Sequence, residues 1–260
     1  MAKNFAELGR LGAEQKFGVK LSFGPYWLLN IVPWLMIAAA LRVFSRYMPG
    51  SSILIGMLLL QVTIFIAYII ASQRMIELAG GFTSLSKLSL REQAHFGWAV
   101  VWRLLIFCLS AVVTAICLGM HPNKAAQFWF GFDGLAFPWR QGVLQVWIAA
   151  ICLLAFLFVV EKGLQRPTRF VSVLRELFLR IRFLLPAFAG LALFLMVSTF
   201  IQIRISGAVM MLQAVFANRF MTNLIDFGYV FIFSYGRLWV TVAILTYALR
   251  ASYRSIPTSA

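Results

Sequence analysis

What most constrains this chain is the recurrence of long apolar runs with almost no charge inside them. They cover residues 21–41, 52–71, 96–118, 143–160, 183–203 and 228–249. A hydrocarbon core about 30 Å thick takes roughly 20 apolar residues of helix to cross, and each run is close to that length. Backbone in lipid must satisfy its own N–H and C=O groups, so runs of this kind are helical. The expected fold is an all-α membrane protein: a polytopic bundle of about six transmembrane helices, forming a single transmembrane domain over residues 1–260. Composition points the same way. Hydrophobic residues make up 62% of the chain and charged residues 12%, against about 25% charged in a soluble domain.

The charges that remain are sorted. The stretch from Glu161 to Arg182, between the fourth and fifth runs, holds Lys162, Arg166, Arg169, Arg175, Arg180 and Arg182 against Glu161 and Glu176. With six spans, 15 of the 23 Lys and Arg fall on the side that carries both termini and the two longer basic loops. Arg42, Arg46, Lys124, Arg140, Arg204 and Arg219 fall on the other, and Arg103 and Arg237 lie within spans. The excess of Lys and Arg marks the cytoplasmic side, so both termini are expected there. The expected location is a multi-pass position in a bacterial inner membrane, with an organellar membrane as the alternative. The formal charge of +15 is then matched by anionic phospholipids rather than nucleic acid, because the basic residues crowd the ends of spans.

Residues outside the runs divide into three kinds. The first 20 are polar and amphipathic, with Phe5, Leu8, Leu11 and Phe17 at near-helical spacing, and read as a surface helix without a cleavable signal. From Thr168 onward, Phe170, Val173, Leu174, Leu177, Phe178 and Ile181 fall at helical spacing, with Arg169, Glu176 and Arg180 elsewhere. That is a basic amphipathic helix, and Arg166, Arg169, Arg175, Arg180 and Arg182 form its candidate surface for anionic lipid or a partner. On the opposite side, residues 119–141 carry Phe128, Trp129, Phe130, Phe137 and Trp139 in a stretch broken by Gly and Pro. Residues 204–227 include Met210, Met211 and Phe216. Both read as interfacial or re-entrant segments and as candidate contacts for other membrane protein subunits.

Local signals place some boundaries. Ser89-x-x-Glu92 fits a capping box, so a helix is expected to start near Leu90 and run into the third span. Pro33 is expected to bend the first span and Pro186 to sit in the first turn of the fifth. Gln61 is expected to hydrogen-bond a neighbouring helix.

Chemistry is hard to find. Cys108, Cys117 and Cys152 lie inside apolar runs and read as small hydrophobes. His95 and His121 stand at opposite ends of the third run and cannot ligate one haem together. The eight carboxylates are scattered, with no metal-hydrolase pattern, no P-loop and no nucleophile elbow. No cofactor is called for. The intramembrane arginines are the exceptions. Arg103 lies about two turns into its run, where its long stem reaches headgroups, and Arg237 stands near the middle of the last. An Arg there costs roughly 2.5–3.5 kcal/mol unless it is turned inward. Its expected partners are carbonyls freed by Pro33 or Pro186, Gln61, or another subunit; Asp226 is about 16 Å away along the helix. The function expected from all this is a non-catalytic membrane subunit, a scaffold, anchor or assembly component of a larger complex. The alternative is a small permease or flippase for an anionic or lipid-like substrate, with Arg237 as counter-charge.

Overall fold

A computed structural model describes residues 31–44, 53–78, 89–129, 138–163, 169–216 and 218–254. Every element among them is helical: α1 (Val32–Phe44), α2 (Ile53–Leu78), α3 (Leu90–Cys117), α4 (Pro122–Trp129), α5 (Pro138–Gly163), α6 (Phe170–Leu179), α7 (Ile181–Val215) and α8 (Arg219–Arg254). Four stretches are long and apolar enough to cross a membrane: Leu90–Cys117, Leu144–Lys162, Ile181–Val215 and Arg219–Leu249. Val32–Phe44 and Val62–Arg74 are shorter apolar helices.

The organising helix is α5. Of its apolar window 67% is buried, against 28% in each of the other three. It runs without an exposed position from Leu153 to Glu161, and Phe156, Leu157 and Phe158 are fully buried. One core cluster joins Leu35 of α1, Tyr68 of α2, Val100 of α3, these α5 residues, Val173 of α6, Leu191 of α7 and Leu245 of α8. Helix α1 packs along both α2 and α8, and α7 lies between α8 and α5.

The capping box forms as the sequence implies. The Ser89 backbone N–H donates to Glu92 Oε2 at 2.8 Å, and the Glu92 N–H returns to Ser89 Oγ at 3.4 Å. At the other end of α3 the N–H of Met120 donates to the Ala115 carbonyl at 3.0 Å and that of Gly119 to Ile116 at 2.9 Å. This 6→1, 5→2 pattern needs a left-handed residue, supplied by Gly119 at φ 90°. It turns the chain back, so that Ala125 of α4 packs on Val112 and Ala115 of α3.

Several boundaries differ from the sequence reading. Helix α2 extends past residue 71 to Leu78, and α5 starts at Pro138 rather than 143, which puts Trp139 in its first turn. Pro33 stands in the first described turn of α1, and the residues before it, on which the expected bend depends, lie outside the described ones. Pro186 is one turn further into its helix than expected. The largest correction concerns residues 204–227. They form neither a surface helix nor a re-entrant segment of their own. They are the end of α7 and the start of α8, joined at Phe216–Asn218. No proline stands between Pro186 and Pro257, and Gly207, the one glycine among residues 204–227, costs a helix only about 1 kcal/mol. Residues 1–30, with Tyr26, Trp27 and Asn30, lie outside the described residues, as do 79–88, with Gly80 and Gly81.

Candidate functional site: the α7–α8 hairpin

Helix α7 has 35 residues and α8 has 36. At 1.5 Å per residue each is about 52 Å long, well beyond the roughly 30 Å of hydrocarbon. The end of α1 can be placed against the hairpin from contacts. The last residue of α1, Phe44, meets Phe227 of α8 edge-on at 5.8 Å between ring centroids. The Tyr229 hydroxyl donates to the Gln202 carbonyl close to the same level. Beyond Phe227 α8 continues for about 12 Å, and α7, in the register set by Gln213 and Thr222, for about as far.

Polar rungs fasten the two helices together. Arg237 Nε donates to Ser198 Oγ at 2.9 Å, and its Nη2 donates to Thr199 Oγ1 at 3.1 Å. Tyr229 meets Gln202 one rung further on. Near the tip, Gln213 Nε2 donates to the Thr222 carbonyl at 3.3 Å. The turn is closed by Asn218, whose Oδ1 accepts from the Phe220 N–H at 2.9 Å, a helix N-cap. Arg237 is therefore held by hydroxyls on α7. Sequence reasoning missed Ser198 and Thr199, having looked for its partners elsewhere.

Some polar groups turn between the helices, Asn218, Arg219 and Asn223 stay exposed, and many apolar side chains are also left outside. The last buried position of α7 is Leu195. Past it, Met210, Met211, Leu212, Val215 and Phe216 are exposed, followed by Phe220, Met221 and Leu224 on α8. Met211 is 76% exposed and Phe220 66%. Burying a side chain of this size stabilises by about 1.5–3 kcal/mol, and so contiguous an apolar surface is rare unless something covers it. Methionine suits a contact surface because its unbranched thioether adapts to the shape it meets. Arg204 stays at the margin, its guanidinium 5.0 Å from the Phe200 ring centroid.

The other residues singled out by sequence divide between contact and core. Trp129 packs inward, edge-on to Trp147 at 4.6 Å, and Trp147 Nε1 donates to the Trp129 carbonyl at 3.0 Å. Phe107 stacks on Trp147 at 5.2 Å and Phe170 lies 5.4 Å from Phe107. Phe158 lies 6.2 Å from Phe170. These rings bridge α3, α4, α5 and α6. Arg103 ends the series with its guanidinium 5.7 Å from the Phe158 ring centroid. It does not simply reach outward: Nη1 is buried and has no hydrogen-bond partner among the described residues. Phe128 lies on α4 and Trp139 on α5, with side chains outside the described residues, and Phe130, Phe137 and Arg166 also fall outside them.

On α6, Phe170, Val173, Leu174 and Leu177 face the core as expected. Phe178 and Ile181 do not; both are exposed. Glu176 and Arg180, expected on the polar side, turn inward instead. Arg180 Nε pairs with the Glu176 carboxylate, and its Nη1 donates to Ser252 Oγ of α8 at 2.6 Å. Arg169, Arg175 and Arg182 remain exposed.

Among the described residues no three His, Cys, Asp or Glu side chains come together in a group able to hold a metal ion. Comparison with protein families, with curated proteins and with solved structures finds no match to this chain.

Proposed function

We propose that this protein is a non-catalytic, multi-pass subunit of a larger inner-membrane assembly, and that it docks another membrane protein through the free end of the α7–α8 hairpin. The observation that carries this reading is the apolar tip. Its outer surface is formed by Met210, Met211, Val215 and Phe220, on helices too long for the bilayer to cover. A partner protein standing beside the hairpin buries what lipid does not reach. In this reading α1 and α2 supply the first two of six spans. The termini and the basic loops face the cytoplasm, as the bias of Lys and Arg supports.

Arg237 is the feature that a transport reading would use. Two hydroxyls of α7 already hold its guanidinium, which favours a structural role in fixing the hairpin register.

A photo-crosslinking side chain placed at Met211 in the native membrane tests the docking. Adducts to a second protein are expected from position 211. They are not expected from position 193, since Leu193 is also exposed but lies at bilayer depth. Only lipid adducts from position 211 would contradict the proposal.

A further inference from the structure

Helix α6 has two apolar faces, and the bundle uses one of them. Val173 is fully buried, and the Phe170 ring sits against Phe107 and Phe158. The outward face is a different stripe. Val171, Arg175 and Phe178 stand at i, i+4 and i+7, which places them on one side of a helix, and all three are exposed. Val171 is 76% exposed and Phe178 67%. Leu179 flanks them, Arg169 precedes the helix and Arg182 follows the break at Arg180, and each is exposed as well. The single acid of α6, Glu176, is buried and paired with Arg180. Arg175 therefore stands on the outward stripe, with Arg169 and Arg182 exposed at either end of the helix, and α6 itself has no exposed carboxylate.

Neither water nor hydrocarbon suits this stripe. Water leaves Val171, Phe178 and Leu179 unburied, and hydrocarbon strips Arg175 of hydration in the same turn. The boundary between phosphate groups and acyl chains accommodates both kinds of side chain. A guanidinium also offers paired N–H donors that match two phosphate oxygens.

We infer that the outward face of α6 is a binding surface for anionic phospholipid. Arg169, Arg175 and Arg182 hold headgroup phosphates, and Val171, Phe178 and Leu179 rest among the first acyl carbons. Arg180 is excluded from it, because its guanidinium clasps Glu176 and Ser252. The inference does not depend on the hairpin docking a partner, and either one stands if the other fails.

The test uses the full chain in detergent, exchanged against phosphatidylglycerol or phosphatidylcholine, with bound lipid counted by native mass spectrometry. Each arginine near an anionic surface changes apparent affinity about fivefold. The R169Q/R175Q/R182Q variant should therefore lose phosphatidylglycerol on the order of a hundredfold and keep its phosphatidylcholine binding. The R169K/R175K/R182K variant should retain most of the preference. R180Q should melt earlier yet still select phosphatidylglycerol. If the triple glutamine variant fails to fold, R175Q alone should show the single fivefold step. Two results would overturn the inference: a folded glutamine variant with undiminished selectivity, or a wild-type protein that does not distinguish the two lipids. The second would assign the arginines to an acidic protein partner instead.

Discussion

At one end of the α7–α8 pair the helices belong to a crowded core; at the other, among the described residues, the hydrogen bonds run between the two helices themselves and within their turn. Near Arg180 and Ser252, charged and polar groups are turned inward and paired across α6 and α8. Near Met211 and Phe220 polar groups also pair across the two helices, and the apolar side chains stand exposed outside them. The difference teaches where stability and function separate. Buried pairing at the first end fixes the fold. The second end does little for the isolated chain, and under the proposed function it is the surface that a partner covers.

Substitutions can sharpen that contrast. The largest loss is expected from Glu176→Ala, which leaves the part-buried Arg180 with Ser252 but without its carboxylate. Breaking a buried pair from one side costs about 3–5 kcal/mol, read as a lower melting temperature in detergent. Met211→Ala, at the opposite end, should stay within about 0.5 kcal/mol of wild type. Equal losses at both positions would erase the distinction between the ends.

Between them lies Arg237. The S198A/T199V variant removes the two hydroxyls that hold it. Hydrogen bonds to charged groups contribute about 1.5–3 kcal/mol each, so the double change should cost at least about 2 kcal/mol. Adding R237M should recover most of the loss, because an apolar side chain leaves no unmatched donor. No recovery would mean that the hydroxyls stabilise the hairpin by some other route. A smaller effect is expected at Trp147. The W147F change keeps the ring stack with Phe107 and removes the bond to the Trp129 carbonyl, a loss of about 1 kcal/mol.

Much of the fold was legible because bilayer physics leaves few options. Long apolar runs mark helices, and Ser89 with Glu92 marks where α3 begins. The hairpin was not legible, since reading hydropathy in bilayer-length pieces cuts a helix at the membrane edge whether or not the backbone stops there. The absence of proline between 186 and 257, with Asn218 as a capping residue, was the available signal. Once the turn is placed at Phe216–Asn218, Ser198 and Arg237 lie about 20 residues to either side, and an antiparallel pair brings them level. Glu176 and Arg180 misled for a related reason. On a helix packed near a membrane surface, polar groups can face the protein and leave apolar groups to the lipid, so periodicity alone does not say which stripe is inside.

The central claim is that the hairpin tip docks another protein. Its most direct test is the particle mass and composition of the protein extracted from its native membrane in mild detergent, for wild type and for M211D/F220D. Both residues are exposed, so the variant should fold and melt as wild type does. The wild type should emerge with companion chains, and the variant should run alone. A wild type that emerges alone, or a variant that keeps the same companions, would contradict the account.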